Sequence, residues 1–150
     1  MQEKFKLFYS LISKINKNIR RIKTEIMLEH DIKCPHVSTL YYLYAEGEMT
    51  LKQLCDVCKE DKSAISRSIA SLEKNGLVNS QEEGKYKNKF SLTQKGLEIG
   101  KEISAKIDTA IEFAVQGLGV EDRDVIYAGL GMIANNLSKF KITKEKRGNK

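Results

Sequence analysis

The sequence has no tryptophan, a single proline and no long run of apolar residues. Because proline breaks helix interiors, its near-absence permits long uninterrupted helices. No apolar stretch approaches the roughly 18 residues that are needed to cross a membrane. The first residues lead into an amphipathic stretch and not into the continuous apolar core of a secretory signal. The sequence therefore predicts a chain with neither a membrane span nor a membrane partner.

Cysteine is also scarce, with three residues in a chain of 150. An odd number of cysteines without a secretory framework favours the reducing cytoplasm. A chain of this length buries roughly 70% of the surface that it exposes when unfolded, so it needs no disulfide to fold. Two histidines complete the inventory of soft metal ligands. We therefore expect a cytoplasmic protein and assign no metal and no cofactor.

The sequence does contain an excess of positive charge, with a net charge of +6 and a pI of about 9.1. Lysines and arginines cluster in the first helical stretch, in Lys85–Lys89 and in the tail Lys141–Lys150. A basic surface attracts polyanions, of which nucleic acid is the commonest and anionic membrane is the competitor.

Apolar residues near the N-terminus recur at alternating steps of three and four. This spacing is typical of a long helix that packs on another helix. We expect its apolar seam to be covered by the chain's own C-terminal end or by a second subunit. The seam consists of Phe5, Phe8, Ile12, Ile15, Ile19, Ile22 and Ile26.

Three shorter helices are predicted next, over 35–45, 50–58 and 61–75. The second begins with a capping box, in which the Thr50 side chain accepts from the Gln53 amide and the glutamine reaches back. The other boundaries follow from turn and cap residues. These are Pro35 in the first turn, Gly47 and Gly76 as stops, and Asp61 as a cap.

A hairpin and two long helices complete the chain. The pattern predicts strands over 77–78 and 89–92 around a turn at 81–85. A helix then runs from 93 to about 117, and a last one runs from 121 to 140 with acid at its start and base at its end. The predicted buried faces are Leu97, Gly100, Ile103, Ile107, Ile111, Ala114 and Leu118 on the first, and Ile126, Leu130, Ile133, Leu137 and Phe140 on the second.

Three helices with a tight turn, followed by a hairpin, are typical of a winged helix-turn-helix. In the helix from Asp61 the apolar residues Ile65, Ile69 and Leu72 form the core side. Arg67 can donate bidentately to a guanine or clamp a phosphate. The alternative is a serine-rich surface helix without a partner. The candidate DNA contacts here are Thr50, Lys62, Ser63, Ala64, Ser66, Arg67 and Ser68.

The hairpin is the second candidate DNA element. Lys85, Lys87 and Lys89 alternate with Tyr86 and Asn88, so on a strand the three lysines share one side. A cationic loop beside a recognition helix suits phosphate contact or entry into a minor groove. The alternative is a solubilising turn.

Four stretches together resemble the MarR (multiple-antibiotic-resistance regulator) family: Met49–Leu54, Asp61–Arg67, Leu72–Val78 and Ser91–Gly96. The resemblance implies a transcriptional regulator, not an enzyme, that forms an obligate dimer through interlocking terminal helices. It also implies binding to a pseudo-palindromic operator, usually as a repressor. The family's wing usually carries an aspartate-arginine pair, where this chain has Gly84-Lys85-Tyr86. Lysine lacks the planar fork of arginine, so we expect the wing to add affinity more than sequence discrimination.

The cysteines, two histidines and one group of tyrosines are candidate sensors. Cys55 and Cys58 form a CxxC pair on a predicted helix, where a buried structural role is favoured over a redox or zinc role. Cys34 with His30 and His36 is a candidate thiol or metal sensor, against the alternative of an inert thiol beside two exposed histidines. In this family small aromatic ligands often bind near the dimer helices. The candidate pocket residues are Tyr41, Tyr42 and Tyr44, which core packing also explains.

The sequence thus predicts a mainly α fold with a small β-hairpin wing. The expected domains are a dimerisation helix (1–33), a winged helix-turn-helix (34–93), two further dimerisation helices (94–140) and a basic tail (141–150). The expected function is a homodimeric, sequence-specific regulator of double-stranded DNA, released from its operator by a small-molecule or redox signal. The alternatives are a regulator that senses thiol oxidation or metal through Cys34, a winged helical module for protein contacts, and a thiol-disulfide enzyme.

Overall fold

The computed structural model describes residues 2–28, 36–83 and 87–141. Within these ranges the fold is mainly helical with one small antiparallel sheet. The chain divides into two compact units, residues 1–110 and 111–150. The elements are α1 (Gln2–Leu28), α2 (His36–Glu46), β1 (Met49–Thr50), α3 (Leu51–Cys58), α4 (Lys62–Lys74), β2 (Val78–Glu83), β3 (Lys87–Leu92), α5 (Gln94–Ala114) and α6 (Val120–Lys139).

The core of the first unit lies between α2, α3, α4 and the sheet. Leu40, Leu54 and Leu72, one from each of the three helices, are fully buried. Burying such a side chain contributes roughly 1.5–3 kcal/mol. Only one face of α4 packs against this core, and the opposite face is exposed. The remaining members of the core are Ile26, Val37, Leu43, Met49, Ile65, Ile69, Leu77, Val78, Phe90 and Ile103.

The predicted helix boundaries are confirmed to within a residue or two, except that α5 ends at Ala114 and not at about 117. The Thr50 hydroxyl accepts from the Gln53 N–H at 3.3 Å, and the Gln53 side chain accepts from the Thr50 N–H at 2.8 Å. Asp61 caps α4 by accepting from the Ala64 N–H at 2.7 Å. Gly47 and Gly76 both have positive φ, as residues that end helices commonly do. Local hydrogen bonds therefore set both ends of the helix-turn-helix.

The sheet is larger than the predicted hairpin. β1 pairs with β3 through Met49 and Phe90, giving the strand order β1-β3-β2. The predicted turn at 81–85 is wrong for residues 81–83, which continue β2 opposite β3. Glutamate and glutamine have low intrinsic strand preference, but pairing with a neighbouring strand overrides it.

The exit from α4 is held by Thr93. Its hydroxyl donates to the Gly76 carbonyl at 2.7 Å and accepts from the Gly96 N–H at 3.0 Å, while its own N–H donates to the Leu77 carbonyl at 3.0 Å. Gly96 is buried here, and a Cβ on it would overlap the Leu77 carbonyl oxygen. The run Leu92-Thr93-Gln94-Lys95-Gly96 therefore joins the end of α4 to the start of α5.

The second unit holds the end of α5 and all of α6. A turn at Gly117, where φ is +85°, precedes α6. The Arg123 side chain donates to the carbonyls of Leu118 and Val115 at 3.1 and 3.4 Å. None of the residues of α6 is buried within this chain.

The apolar seams are largely exposed within the single chain. Of the seven seam residues on α1, Ile26 alone is buried, whereas Ile15 is 52% exposed. Burial was expected along the predicted faces of the last two helices, and this is wrong for Leu97, Ile111 and Ala114. The exposed residues of the α6 seam are Ile126, Leu130, Ile133, Leu137 and Phe140. Among the described helices none is long and apolar enough to span a bilayer.

The Gly96→Ala variant tests the joint at Thr93. We expect the free energy of unfolding to fall by about 3 kcal/mol, the upper end of overpacking costs, because the new methyl meets backbone and not a movable side chain. Denaturant unfolding of the purified protein measures this. Lys95→Ala is the matched control, since Lys95 is exposed on the same turn and its loss should change stability by less than about 0.5 kcal/mol. Equal stability of the two variants would contradict the described joint.

Candidate nucleic-acid interface

The outward face of α4 is polar and cationic. Lys62, Ser63, Ser66 and Arg67 are exposed, as the sequence predicted. The core holds the opposite face, and both ends of the helix are capped. This face can therefore offer hydroxyl donors, one guanidinium and one ammonium to a partner.

Ser68 departs from the expectation of an outward side chain. Only 1% of its surface is exposed. Its Oγ lies 2.8 Å from Nδ1 of His36 and 3.1 Å from Oγ1 of Thr39, both on α2. The physical reason is helical periodicity, because Ser68 follows Ile65 by three residues and precedes Leu72 by four. Ser68 is thus a buried polar residue and not a candidate DNA contact.

Two more of the predicted contacts are less available than expected. Ala64 is half-buried, and its N–H is engaged by the Asp61 cap. Thr50 is also half-buried, with its hydroxyl accepting in the capping box. A hydroxyl that accepts in this way keeps one proton that it can donate outward.

The structure adds exposed residues that the sequence interpretation missed. Ala70 and Lys74 lie on the exposed side of α4, at helical spacing from Ser63, Ser66 and Arg67. Lys59 lies in the turn before α4 with a left-handed backbone, φ 56°. Helical spacing could have identified the first two residues. A left-handed lysine has no comparable local signature.

The wing is only partly within the described residues. Lys89 is half-buried in β3, opposite Thr50 of β1 and Gln81 of β2. Lys87 opens β3 opposite Glu83. Lys85 lies outside the described residues. In sequence the three lysines are partly offset by Glu82 and Glu83, so the hairpin is less cationic than its lysines alone indicate.

The candidate sensor triad is not assembled within the described residues. His30 and Cys34 lie outside them. His36 opens α2 and is buried, 6% exposed, so the alternative of two exposed histidines is wrong for this one. Among the described residues no group of three or more histidine, cysteine or acidic side chains could hold a metal ion.

The CxxC pair lies on α3, with both cysteines half-buried and neither in a disulfide. Burial raises the pKa of the Cys58 thiol, although a hydrogen bond from Thr39 and the charge of Lys23 act in the opposite direction. Reactive cysteines need a lowered pKa, often at a helix N-terminus. Cys58 is the last residue of its helix, so its position favours the structural role.

The three tyrosines contact different parts of the first unit. The Tyr41 and Tyr42 rings meet edge to face with centroids 5.3 Å apart, and both pack against the core. Burial raises the pKa of Tyr42, and nearby Cys58 adds to the shift. Tyr44 packs on Gly100 of α5, where a Cβ would lie 2.9 Å from the tyrosine Cβ. The packing alternative therefore accounts for all three rings.

Part of the chain matches the model of a known protein family. A model of the MarR family matches residues 30–85. No curated protein sequence matches the chain. The matched segment contains α2, α3, α4 and β2, which are the elements of the helix-turn-helix and the first wing strand.

Solved structures extend the likeness to most of the chain. MepR of Staphylococcus aureus in complex with DNA is 19% identical, with a TM-score of 0.77 over 87% of this chain and 97% of MepR. A MarR family transcriptional regulator from Listeria monocytogenes, solved with a 26mer DNA, is 19% identical, with a TM-score of 0.81 over 90% of this chain and 97% of that one. A MarR family protein from Bacillus stearothermophilus is 21% identical, with a TM-score of 0.72 over 93% and 99%. These likenesses establish the winged-helix fold of MarR proteins.

The Cys58 thiol gives a prediction on reactivity. Because its pKa is raised, fewer thiolates form at neutral pH than in the unfolded chain. We expect iodoacetamide to label Cys58 at least about 10-fold more slowly in the folded protein than in urea, as peptide mapping would measure. By the same linkage, the thiol's contribution to stability is complete below its ordinary pKa and is lost as the pH rises above it. Equal labelling rates at pH 7 in the two states would contradict the structural role.

Proposed function

We propose that the chain is a homodimeric, sequence-specific regulator of transcription that binds double-stranded DNA, since residues 30–85 match a model of the MarR family. The exposed polar face of α4, with Arg67 at its middle, is the observation that carries the proposal. MepR and the Listeria protein, which share this fold, were solved with DNA bound.

The dimensions of α4 suit a major groove. Its 13 residues give a length of about 20 Å at 1.5 Å per residue. A B-DNA major groove is about 12 Å wide and admits one helix with its side chains. Arg67 would donate to a guanine edge or a phosphate, while Ser63 and Ser66 are short enough to let the helix backbone approach the bases. Lys62, at the start of the helix, would pair with a phosphate.

The wing would then contribute mainly to affinity. Lys87 and Lys89 stand at alternate positions of β3, and lysine acts as a point charge with no bidentate geometry. Two glutamates of β2 precede them in the hairpin. Discrimination between sequences therefore falls to α4.

Dimerisation would cover the exposed seams. The α1 seam and the α6 seam each present a row of large apolar side chains to solvent within the single chain. Contiguous exposed apolar surface of this kind marks an interface in soluble proteins. A two-fold dimer would place two copies of α4 about one DNA turn apart, so we expect a pseudo-palindromic operator with half-sites ~10 base pairs apart.

Regulation follows from the same geometry. A signal that changes the angle between subunits would misalign the two copies of α4 and release the operator, so we propose a repressor in the bacterial cytoplasm. A small aromatic ligand near Tyr41, Tyr42 and Tyr44 is the first candidate signal. Oxidation or metal binding at Cys34 with His30 and His36 is the second.

The first test concerns the reading face of α4. We expect Arg67→Ala to weaken binding to the DNA upstream of the gene that encodes this chain by about 10-fold or more. The reason is that a bidentate contact to a base is worth about 1–3 kcal/mol. Arg67→Lys keeps the charge but loses the fork. The Arg67→Lys variant should therefore bind an unrelated duplex as wild type does, but it should not recover the preference for the operator. Gel shifts at two salt concentrations measure both affinities.

Dimerisation must stay unchanged in both Arg67 variants for this test to hold. Wild-type operator affinity in Arg67→Ala would show that the reading face is wrongly assigned. Loss of binding to every duplex to the same extent would make Arg67 a phosphate contact only.

The second test concerns the seam on α1. In Ile15→Asp each subunit would place a carboxylate in the proposed interface, and the two-fold symmetry would do so twice. Burying an unpaired charge costs several kcal/mol, so the dimer dissociation constant should rise by about 100-fold or more. Ser13→Asp is the matched control, since it adds the same charge at an exposed position on the face of α1 away from the seam. Sedimentation equilibrium distinguishes the two, and a dimeric Ile15→Asp would rule out this seam as the interface.

A further inference from the structure

The buried polar cluster beneath α4 does not belong to the reading face, and its geometry suggests a separate role. We propose that Ser68 is a positioning residue, whose bonds to His36 and Thr39 set the rotation of α4 about its own axis and so the direction of the side chains that read DNA. This role rests on the proposed function.

The cluster joins the recognition helix to α2 at one point. Ser68, His36 and Thr39 are 1%, 6% and 0% exposed. A single Ser68 oxygen lies within hydrogen-bond distance of Nδ1 of His36 at 2.8 Å and of Oγ1 of Thr39 at 3.1 Å. Two partners one turn apart on α2 therefore hold one atom of α4 from two directions.

Counting the proton that each hydroxyl can donate indicates the direction of the hydrogen bonds in the cluster. The Thr39 hydroxyl also lowers the pKa of the Cys58 thiol of α3, so it lies near enough to donate to the sulfur. When the Thr39 hydroxyl donates to that sulfur, Ser68 must donate to Thr39, since each hydroxyl carries one proton. Ser68 then accepts from an N–H at Nδ1 of His36. Such a chain runs through α2, α4 and α3, and each hydroxyl in it both donates and accepts.

The packing of α4 against the core does not require a serine at position 68. Ile65, Ile69 and Leu72 already bury the same face of α4, and apolar burial is favourable without being directional. A buried hydroxyl adds nothing to that burial unless it is bonded. What it adds is direction, because hydrogen bonds weaken steeply as their angles depart from linearity.

A small rotation of α4 is enough to affect reading. Side-chain ends lie about 5–6 Å from a helix axis, so a rotation of about 10° displaces them by ~1 Å. Bidentate contacts to base edges tolerate roughly half that displacement. Phosphate contacts by long lysines adapt more easily. Loss of the Ser68 link should therefore reduce discrimination more than overall affinity for DNA.

The α2 end of the link is itself held in place. Lys23 of α1 donates to the Ser38 hydroxyl at 2.8 Å, and Ser38 adjoins Thr39 in the first turns of α2. The start of α2, which contacts Ser68 of α4, is thus hydrogen bonded to α1, the helix that carries the proposed dimer seam. Rotation of α4 and placement of α1 are connected through about four residues of α2.

Ser68→Ala tests the positioning role against Ser71→Ala, a matched control that removes a hydroxyl from the same helix at a half-buried position. The readouts are affinity for the chain's upstream operator duplex, affinity for a scrambled duplex of equal length, and the thermal midpoint. We expect Ser68→Ala to bind the operator about 10-fold more weakly or worse, with scrambled-duplex affinity changed less than twofold. Ser71→Ala should match wild type in both.

A double variant tests whether the Ser68 hydroxyl orients α4 or only supplies a hydrogen-bond partner to buried polar groups. Ser68→Ala with Thr39→Val removes both hydroxyls, so it should recover part of the thermal midpoint while operator preference stays lost. Recovery of operator preference with stability would overturn the positioning role, as would a parallel fall of both affinities in Ser68→Ala or an unchanged operator preference. A wild type that does not prefer the operator would instead refute the proposed function and this role with it.

Discussion

The packing of one face of α4 against α2 and α3 is the constraint on which the other features of the first unit depend. Ile65, Ile69 and Leu72 recur at the spacing of a single helical stripe, and their burial leaves the opposite stripe exposed. The caps at Asp61 and Gly76 limit the helix to that packed length. Hydrogen bonds of Thr93 then join the end of α4 to the start of α5. A polar reading face exists because the apolar face is fully occupied.

Local chemistry made much of this fold predictable from the sequence. The capping box at Thr50, the cap at Asp61 and the stop at Gly76 each involve residues within four positions of one another, so the sequence contains both partners. β1 was missed because Met49 and Thr50 become a strand only by pairing with β3, some forty residues away. The extension of β2 through residues 81–83 was missed for the same reason. The polarity of Ser68 predicts an outward side chain, but positions 65, 68, 69 and 72 lie on one stripe of the helix, and that stripe is buried.

The exposed seams and the candidate site consist of residues that the fold of a single chain does not explain. Spacing predicted the apolar rows of α1 and α6 correctly as rows, and in our proposal a second subunit covers them. Only a partner surface can turn such a row into a core. The reading face has the converse property, because exposed serines and one arginine have no folding role that would fix them. We therefore attribute their identity to the proposed contact with DNA and not to the stability of the fold.

The cysteines illustrate how position within a helix decides chemistry that a motif leaves open. A CxxC pair at a helix N-terminus gains from the dipole that stabilises thiolate. Here the pair closes α3, and burial raises the pKa of Cys58. The same half-burial brings the thiol against Thr39, which contacts Ser68 in turn. A residue that is a poor redox centre is thus well suited as the end of a hydrogen-bond chain, since a neutral thiol can stay in the core where a thiolate could not.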